Sequence, residues 1–151
     1  PYPDYSLIKI EEHFRRRVKH FYFRENVLFN RGNYLDMFTG RGCPYNCTFC
    51  YRNFGNRVRL RSVDNVIEEI RILYNKYRIN RLLFFDELFS VSEKRVYDFC
   101  DKFKRNSFKF TWGFSTRIDK VHPAFLKEIK SAGCKNLFIG ADVIAPATIP
   151  S

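Results

Sequence analysis

Three of the chain's five cysteines fall in one short stretch, Cys43-Pro44-Tyr45-Asn46-Cys47-Thr48-Phe49-Cys50, with the spacing C-x3-C-x2-C. Thiolates are soft metal ligands, and three on one short loop can grip three corners of an iron–sulfur cube. Clusters of the [4Fe–4S] type usually take four thiolates. With three, one iron keeps an open position, and by the logic that separates catalytic from structural zinc, an open position is a place for substrate. Gly42 and Pro44 keep the segment from closing into a helix, so the chain can wrap the metal group. Zinc is the rival reading, with Cys100, Cys134 or a His as fourth ligand. Cys100 lies on an apolar helical stripe and Cys134 enters a buried strand, so both read as core residues. His13, His20 and His122 show no metal-ligand spacing. The odd cysteine count and the absence of a secretory signal argue against a disulfide framework, and a reducing, cytoplasmic setting is expected.

The elements that position this loop follow from hydrophobic periodicity. Tyr34 to Thr39 reads as a strand running into the turn chemistry of Gly40-Arg41-Gly42. Ser62 is placed as an N-cap before Val63, Val66, Ile67, Ile70, Leu73 and Tyr77, which repeat at helical spacing. The apolar run Arg81 to Phe85 suits a strand buried on both faces, and it stops at Asp86-Glu87. Ser90 and Glu93 read as a capping box ahead of the stripe Val96, Phe99, Cys100 and Phe103. Phe108 to Ser115 reads as a third strand with Phe108, Phe110, Trp112 and Phe114 on one face. Pro123 opens a helix carrying Leu126 and Ile129, Gly133 closes it, and Lys135 to Ile139 forms a fourth strand.

The order β-α-β-α-β-α-β implies α/β architecture with a parallel sheet and right-handed crossovers. The step from the first strand to the second is the longest, and the extra length holds the cysteines. Loops after strand C-termini are where such folds build their sites. A complete eight-stranded barrel takes about 250 residues, so this 151-residue chain is expected to be a partial parallel (β/α) barrel of about four units. Residues 1–33 read as a basic, irregular leader, 34–140 as the core, and 141–151 as a nearly uncharged tail and the point of truncation. A hydrophobic share of 45% with 28% charged residues is the balance of a folded chain, and no apolar run approaches the roughly 20 residues of a membrane span. The net charge of +11 suits anionic partners, RNA among them, or a solvated basic surface.

Thr39-Gly40-Arg41-Gly42-Cys43-Pro44-Tyr45-Asn46-Cys47-Thr48-Phe49-Cys50 resembles the signature loop of the radical S-adenosylmethionine superfamily. Pro1-Tyr2-Pro3-Asp4-Tyr5 is similar to the connector into the radical domain of its cobalamin-binding branch. Asp86-Glu87-Leu88-Phe89, Thr116-Arg117-Ile118-Asp119 and Ala132-Gly133-Cys134 also resemble segments of that branch. The resemblance implies that Cys43, Cys47 and Cys50 ligate a [4Fe–4S] cluster whose unique iron binds S-adenosylmethionine, and that an oxygen-sensitive enzyme generates a 5′-deoxyadenosyl radical, for methyl transfer or ring formation. It implies packing of Phe49 and Tyr51 near the cluster and adenine. It gives Asp86 and Glu87 the methionyl ammonium and Arg117 the methionyl carboxylate. The family's fourth strand commonly ends in Gly-x-Glu-Ser; here Gly140-Ala141-Asp142-Val143 leaves Asp142 to stand for the acid, with no hydroxyl after it. A reductant of ferredoxin or flavodoxin type is the expected partner, and the small-molecule substrate is unknown. Cobalamin is implied only for a longer parent, because the chain has no Asp-x-His-x-x-Gly segment. Two alternatives stand beside this reading: an RNA-modifying radical enzyme, and a zinc-stabilised non-catalytic binding fragment.

Overall fold

Period-2 strands that alternate with period-3.6 helices can bury their apolar stripes only by packing helices on a sheet. The computed structural model shows this arrangement and describes residues 2–15, 32–51 and 53–140. In chain order the elements are α1 (Ile10–Arg15), β1 (Tyr34–Met37), β2 (Gly40–Arg41), β3 (Arg59–Leu60), α2 (Val63–Tyr77), β4 (Arg81–Phe84), α3 (Glu93–Arg105), β5 (Thr111–Arg117), α4 (Pro123–Ser131) and β6 (Cys134–Gly140). Strands β1, β4, β5 and β6 form one parallel sheet in that order, and β2 pairs antiparallel with β3 in a separate hairpin. The residues 16–31 of the basic leader and the tail 141–151 lie outside the described residues.

The helices pack on one face of the sheet. Leu35, Met37, Leu82, Phe84, Trp112 and Phe114 are buried on it. Phe99 meets Phe84 and Trp112 edge-to-face, Phe103 tilts against Trp112, and Phe125 of α4 meets Phe114. The Trp112 indole N–H donates to the Ala132 carbonyl at 2.8 Å, so the largest core side chain buries no unpaired polar atom. On the opposite face Asp36, Phe85 and Ser115 are exposed. This corrects the expectation that the second strand is buried on both faces: none of the described helices covers the Phe85 side. Gly113 sits where β5 and β6 approach most closely, beside a register shift. A Cβ there would come within 2.7 Å of the Asn136 backbone oxygen.

Several boundaries differ from the sequence expectation for physical reasons. Ser62 caps α2 as expected, accepting from the Asn65 N–H at 3.2 Å. The cap of α3 is Ser92, which accepts from Arg95 N–H, and not Ser90. Phe89 is drawn into the core in a stack on Phe84 at 4.5 Å. That holds Phe89–Val91 in a 3-10 turn and turns the Ser90 hydroxyl inward to Thr116. In α4, Phe125 and Ile129 are buried and Leu126 is exposed, because a helix opened by Pro123 presents the 125/129 stripe to the sheet. Strand β1 ends at Met37 and β5 starts at Thr111; Phe108, read as part of that strand, packs instead against Tyr74 and Phe103.

Part of the stretch read as irregular is ordered. Asp4 caps a 3-10 turn at Tyr5–Ile8 by accepting from Ser6 N–H at 3.0 Å, and Ile10 is buried in the main core. Tyr5 donates its hydroxyl to Glu69 of α2, a carboxylate 1% exposed that also pairs with Arg61. The leading segment is thereby tied to the helix that follows the cysteine loop.

Candidate functional site

The C-terminal ends of β1, β4 and β5 lie side by side, and each delivers a residue singled out in the sequence. β1 runs through Phe38-Thr39 into the cysteine loop, β4 ends at Asp86-Glu87, and β5 ends at Arg117. The loop leaves and returns through the β2–β3 hairpin, which Cys43 N–H extends by donating to the Gly55 carbonyl at 3.1 Å. Gly42 has φ +87, and a Cβ on it would stand 2.4 Å from the Arg57 carbonyl oxygen. Only glycine lets the two arms close at this point.

Within the loop all three cysteines are free thiols; Cys43 and Cys47 are half-buried and Cys50 is exposed. Cys50 N–H donates to the Cys47 carbonyl at 3.2 Å, a turn linking the last two cysteines of the loop. Among the described residues no three His, Cys, Asp or Glu side chains converge as a single ion would require. Cys100 and Cys134 are buried in the helix-side core, and burial pushes both thiols up to about 12. They are the protonated, inert cysteines of the fold. The loop's donor set, three thiols without a fourth, suits a cluster in which each thiolate holds a different iron.

Asp86 is buried at the base of the loop. Its carboxylate accepts from Thr39 N–H at 2.6 Å and from the Thr39 hydroxyl. Burial raises its pKa, partly offset by those donors and by the Arg95 guanidinium. Glu87 is placed differently. One oxygen accepts from Phe54 N–H at 3.3 Å, while Oε2 is buried with no hydrogen-bond partner. Both acids line a cavity of about 280 Å³ walled by Phe38, Phe54 and Phe85. Phe38 meets the other two rings edge-to-face at 5.9 Å, and Arg41 lies over Phe54 at 5.3 Å.

Arg117 reaches the loop. Its Nη1 lies 3.7 Å from Cys47 Sγ, its plane sits 4.0 Å from the Tyr45 ring centroid, and Nε donates to Asp119 at 2.9 Å. The structure thus sets Arg117 against Cys47 and puts Asp86 and Glu87 at the base of the loop that carries the three cysteines. Phe49 and Tyr51 stand 67% and 85% exposed, clear of the cavity walls. Asp142 lies outside the described residues. Sequence reasoning missed Arg95, Phe38 and Phe54. Arg95 sits in a charged helix with no motif around it, and the two phenylalanines become walls only through contacts across the chain.

A family model for the radical SAM superfamily matches residues 37–148, from the end of β1 onward. The chain belongs to the radical SAM superfamily. It is 31% identical over 148 residues to an uncharacterized methyltransferase of Pyrococcus horikoshii, covering 97% of this chain and 29% of that protein. It is 28% identical over 112 residues to the anaerobic magnesium-protoporphyrin IX monomethyl ester cyclase of Rubrivivax gelatinosus, covering 70% of this chain and 20% of the cyclase. Among solved structures, the radical S-adenosylmethionine methyltransferase TsrM from Kitasatospora setae, with cobalamin and a [4Fe–4S] cluster bound, superposes with a TM-score of 0.67 at 20% identity over 77% of this chain and 24% of TsrM. The cobalamin-dependent S-adenosylmethionine radical enzyme OxsB superposes with a TM-score of 0.63 at 23% identity, over 74% of this chain and 19% of OxsB. The chain therefore spans less than a third of the length of these relatives. The likeness establishes its four parallel strands as part of a radical SAM barrel. Among the described residues no helix is long and apolar enough to cross a membrane.

Proposed function

We propose that this chain is the cluster-bearing part of a radical SAM enzyme, with Cys43, Cys47 and Cys50 each holding one iron of a [4Fe–4S] cluster. The fourth iron is left for the amino and carboxylate groups of S-adenosylmethionine. The observation that carries this reading is that three free thiols lie on one loop leaving the C-terminal end of β1, while the next strand, β4, ends at Glu87, whose unpartnered oxygen belongs to a cavity walled in part by Asn53 and Phe54 of that same loop. When bound, the reduced cluster supplies the electron that splits the C5′–S bond of S-adenosylmethionine into methionine and a 5′-deoxyadenosyl radical.

The chain's own residues have separate tasks in this reading. Glu87 Oε2 accepts an N–H bond from the methionyl amino group, which satisfies an oxygen that is costly to leave buried and unpaired. Phe38, Phe54 and Phe85 give that contact apolar walls. Arg117 gives its donors to Asp119 and Cys47, so its task lies at the loop rather than at a methionyl carboxylate. Phe49 and Tyr51, exposed beside the last ligand, are available to the nucleoside side of the cofactor. Exposed Arg41, Arg57 and Arg59 on the hairpin beside the loop suit an acidic electron carrier of ferredoxin or flavodoxin type.

Methyl transfer or ring formation is the parent activity this reading favours, in keeping with relatives named as a methyltransferase and a cyclase. Cobalamin enters only through a longer protein. The net charge of +11 suits an acidic protein partner as well as RNA and does not by itself favour an RNA substrate. The test is anaerobic reconstitution with iron and sulfide, followed by reduction and addition of S-adenosylmethionine. A brown protein with about four irons and four sulfides per chain, releasing 5′-deoxyadenosine, is expected. One zinc and no iron retained under the same handling would overturn the assignment.

A further inference from the structure

We infer that Asp86 is a positioning residue that pins the entrance of the cysteine loop, and that Glu87 alone of the acidic pair meets the bound cofactor. This rests on the cluster reading above. The expectation from sequence gave both acids the same task, but the structure separates them. Both hydrogen bonds of Asp86 run to Thr39, one from its N–H and one from its hydroxyl. Both oxygens of Asp86 are thus already engaged by Thr39. Glu87, its neighbour in sequence, has one oxygen satisfied and the other bare.

The clamp closes on Thr39 from both sides. Asp86 takes its N–H and its hydroxyl. Its carbonyl accepts from Arg61 N–H at 2.9 Å and from Arg95 Nη2 at 3.4 Å. The same Arg95 nitrogen donates to the Arg61 carbonyl at 3.1 Å, so one side chain of α3 holds both the entering and the leaving arm of the loop. Thr39 is completely buried. The parallel ladder between β1 and β4 leads directly into this point: Met37 is in register with Phe84, and Phe85 N–H donates to the Met37 carbonyl at 2.9 Å. Thr39, where the chain leaves the parallel sheet for the cysteine loop, is therefore held by charge-assisted bonds from both sides. Outer-shell partners of this kind set the orientation of metal ligands, and their removal typically lowers metal affinity by about tenfold or more.

Four variants decide the matter: Asp86→Asn, Glu87→Gln, Thr39→Val and Cys47→Ala. In the metal-free chain, amide hydrogen exchange at Thr39 and Gly40 is expected to speed up in Asp86→Asn and to stay unchanged in Glu87→Gln. After anaerobic reconstitution, Asp86→Asn is expected to hold about tenfold less cluster at limiting iron, with the remaining cluster still changing its electron paramagnetic resonance signal when S-adenosylmethionine is added. Glu87→Gln is expected to fill normally and lose that response. Thr39→Val removes only the hydroxyl donor and is expected to share the Asp86→Asn pattern in milder form; should Asp86→Asn fail to fold, Thr39→Val decides alone. Full cluster occupancy in the deciding variant, or loss only of the response to S-adenosylmethionine, overturns the inference and leaves the cluster reading standing. A cluster that survives in Cys47→Ala overturns the cluster reading itself, while the exchange result still reports whether Asp86 pins the loop.

Discussion

The Arg117 guanidinium lies 3.7 Å from the Cys47 sulfur, and the face of Tyr45, two residues before that cysteine, holds it in place from 4.0 Å. Asp119 engages Nε and Nη2 along the other edge, so Nη1 is the nitrogen that faces the sulfur. An N–H donor at a cluster thiolate stabilises the more negative, reduced state. Arg117→Met is therefore expected to make the cluster harder to reduce. Arg117→Lys should fall between the two, since it keeps the charge but loses the planar stack and fork. Redox titration followed by electron paramagnetic resonance checks this, and a midpoint unchanged in Arg117→Met contradicts it.

The five cysteines should divide sharply in reactivity. With thiols pushed up to about 12, Cys100 and Cys134 are expected to resist alkylation at pH 8, where only about one molecule in 10⁴ carries either thiolate. Cys43, Cys47 and Cys50 should react in the metal-free chain, and mass spectrometry of the alkylated peptides reads the split. The same shifts set a pH dependence. The unfolded chain releases these protons from about pH 8.5 upward, whereas the folded chain keeps them until about 12. Stability is therefore present below pH 8.5 and falls as pH rises, by about 1.4 kcal/mol per unit for each retained proton. Urea unfolding at pH 8 and pH 10 measures the fall, and Cys100→Ala should remove its share.

Gly42→Ala tests the closure of the loop. The added methyl would press on the Arg57 carbonyl at a positive φ, so the arms must part. The parallel sheet has no stake in this contact. Retained circular dichroism with a several-fold loss of bound iron is expected, and wild-type iron content would count against the proposed geometry.

Glu69→Ala tests the tie between the leading segment and α2. It strips the partner from Arg61 and from the Tyr5 phenol, which burial and Glu69 together push up so that it stays a donor. Arg61 is 27% exposed and can recover some hydration, which keeps the expected cost near 2 kcal/mol, below the range of about 3–5 kcal/mol for a fully buried pair. Chemical denaturation measures it.

What could be read from sequence was local. The cysteine spacing, the Ser62 cap and the α3 stripe each occupy one continuous segment, and all are found where the periodicity put them. Between Ser90 and Ser92 local chemistry cannot choose, because both can cap; the stack of Phe89 on Phe84 decides, and that is a tertiary contact. The clamp on Thr39 spans 47 positions to Asp86 and 56 to Arg95, so no window of sequence contains it. Asp86 and Glu87 are adjacent and chemically alike, and only the fold gives them different surroundings. The β2–β3 hairpin has two residues per strand, too few for any alternation to show.

Trp112 is the only tryptophan in the chain, and it lies in the helix-side core, bonded to Ala132 and ringed by Phe84, Phe99 and Phe103. Its fluorescence is thus a built-in gauge of whether α3 and α4 remain docked. Visible absorbance, by contrast, would follow only the sulfur-rich loop. Unfolding and loss of metal, which oxygen damage usually confounds, can be watched in this molecule as two separate optical channels.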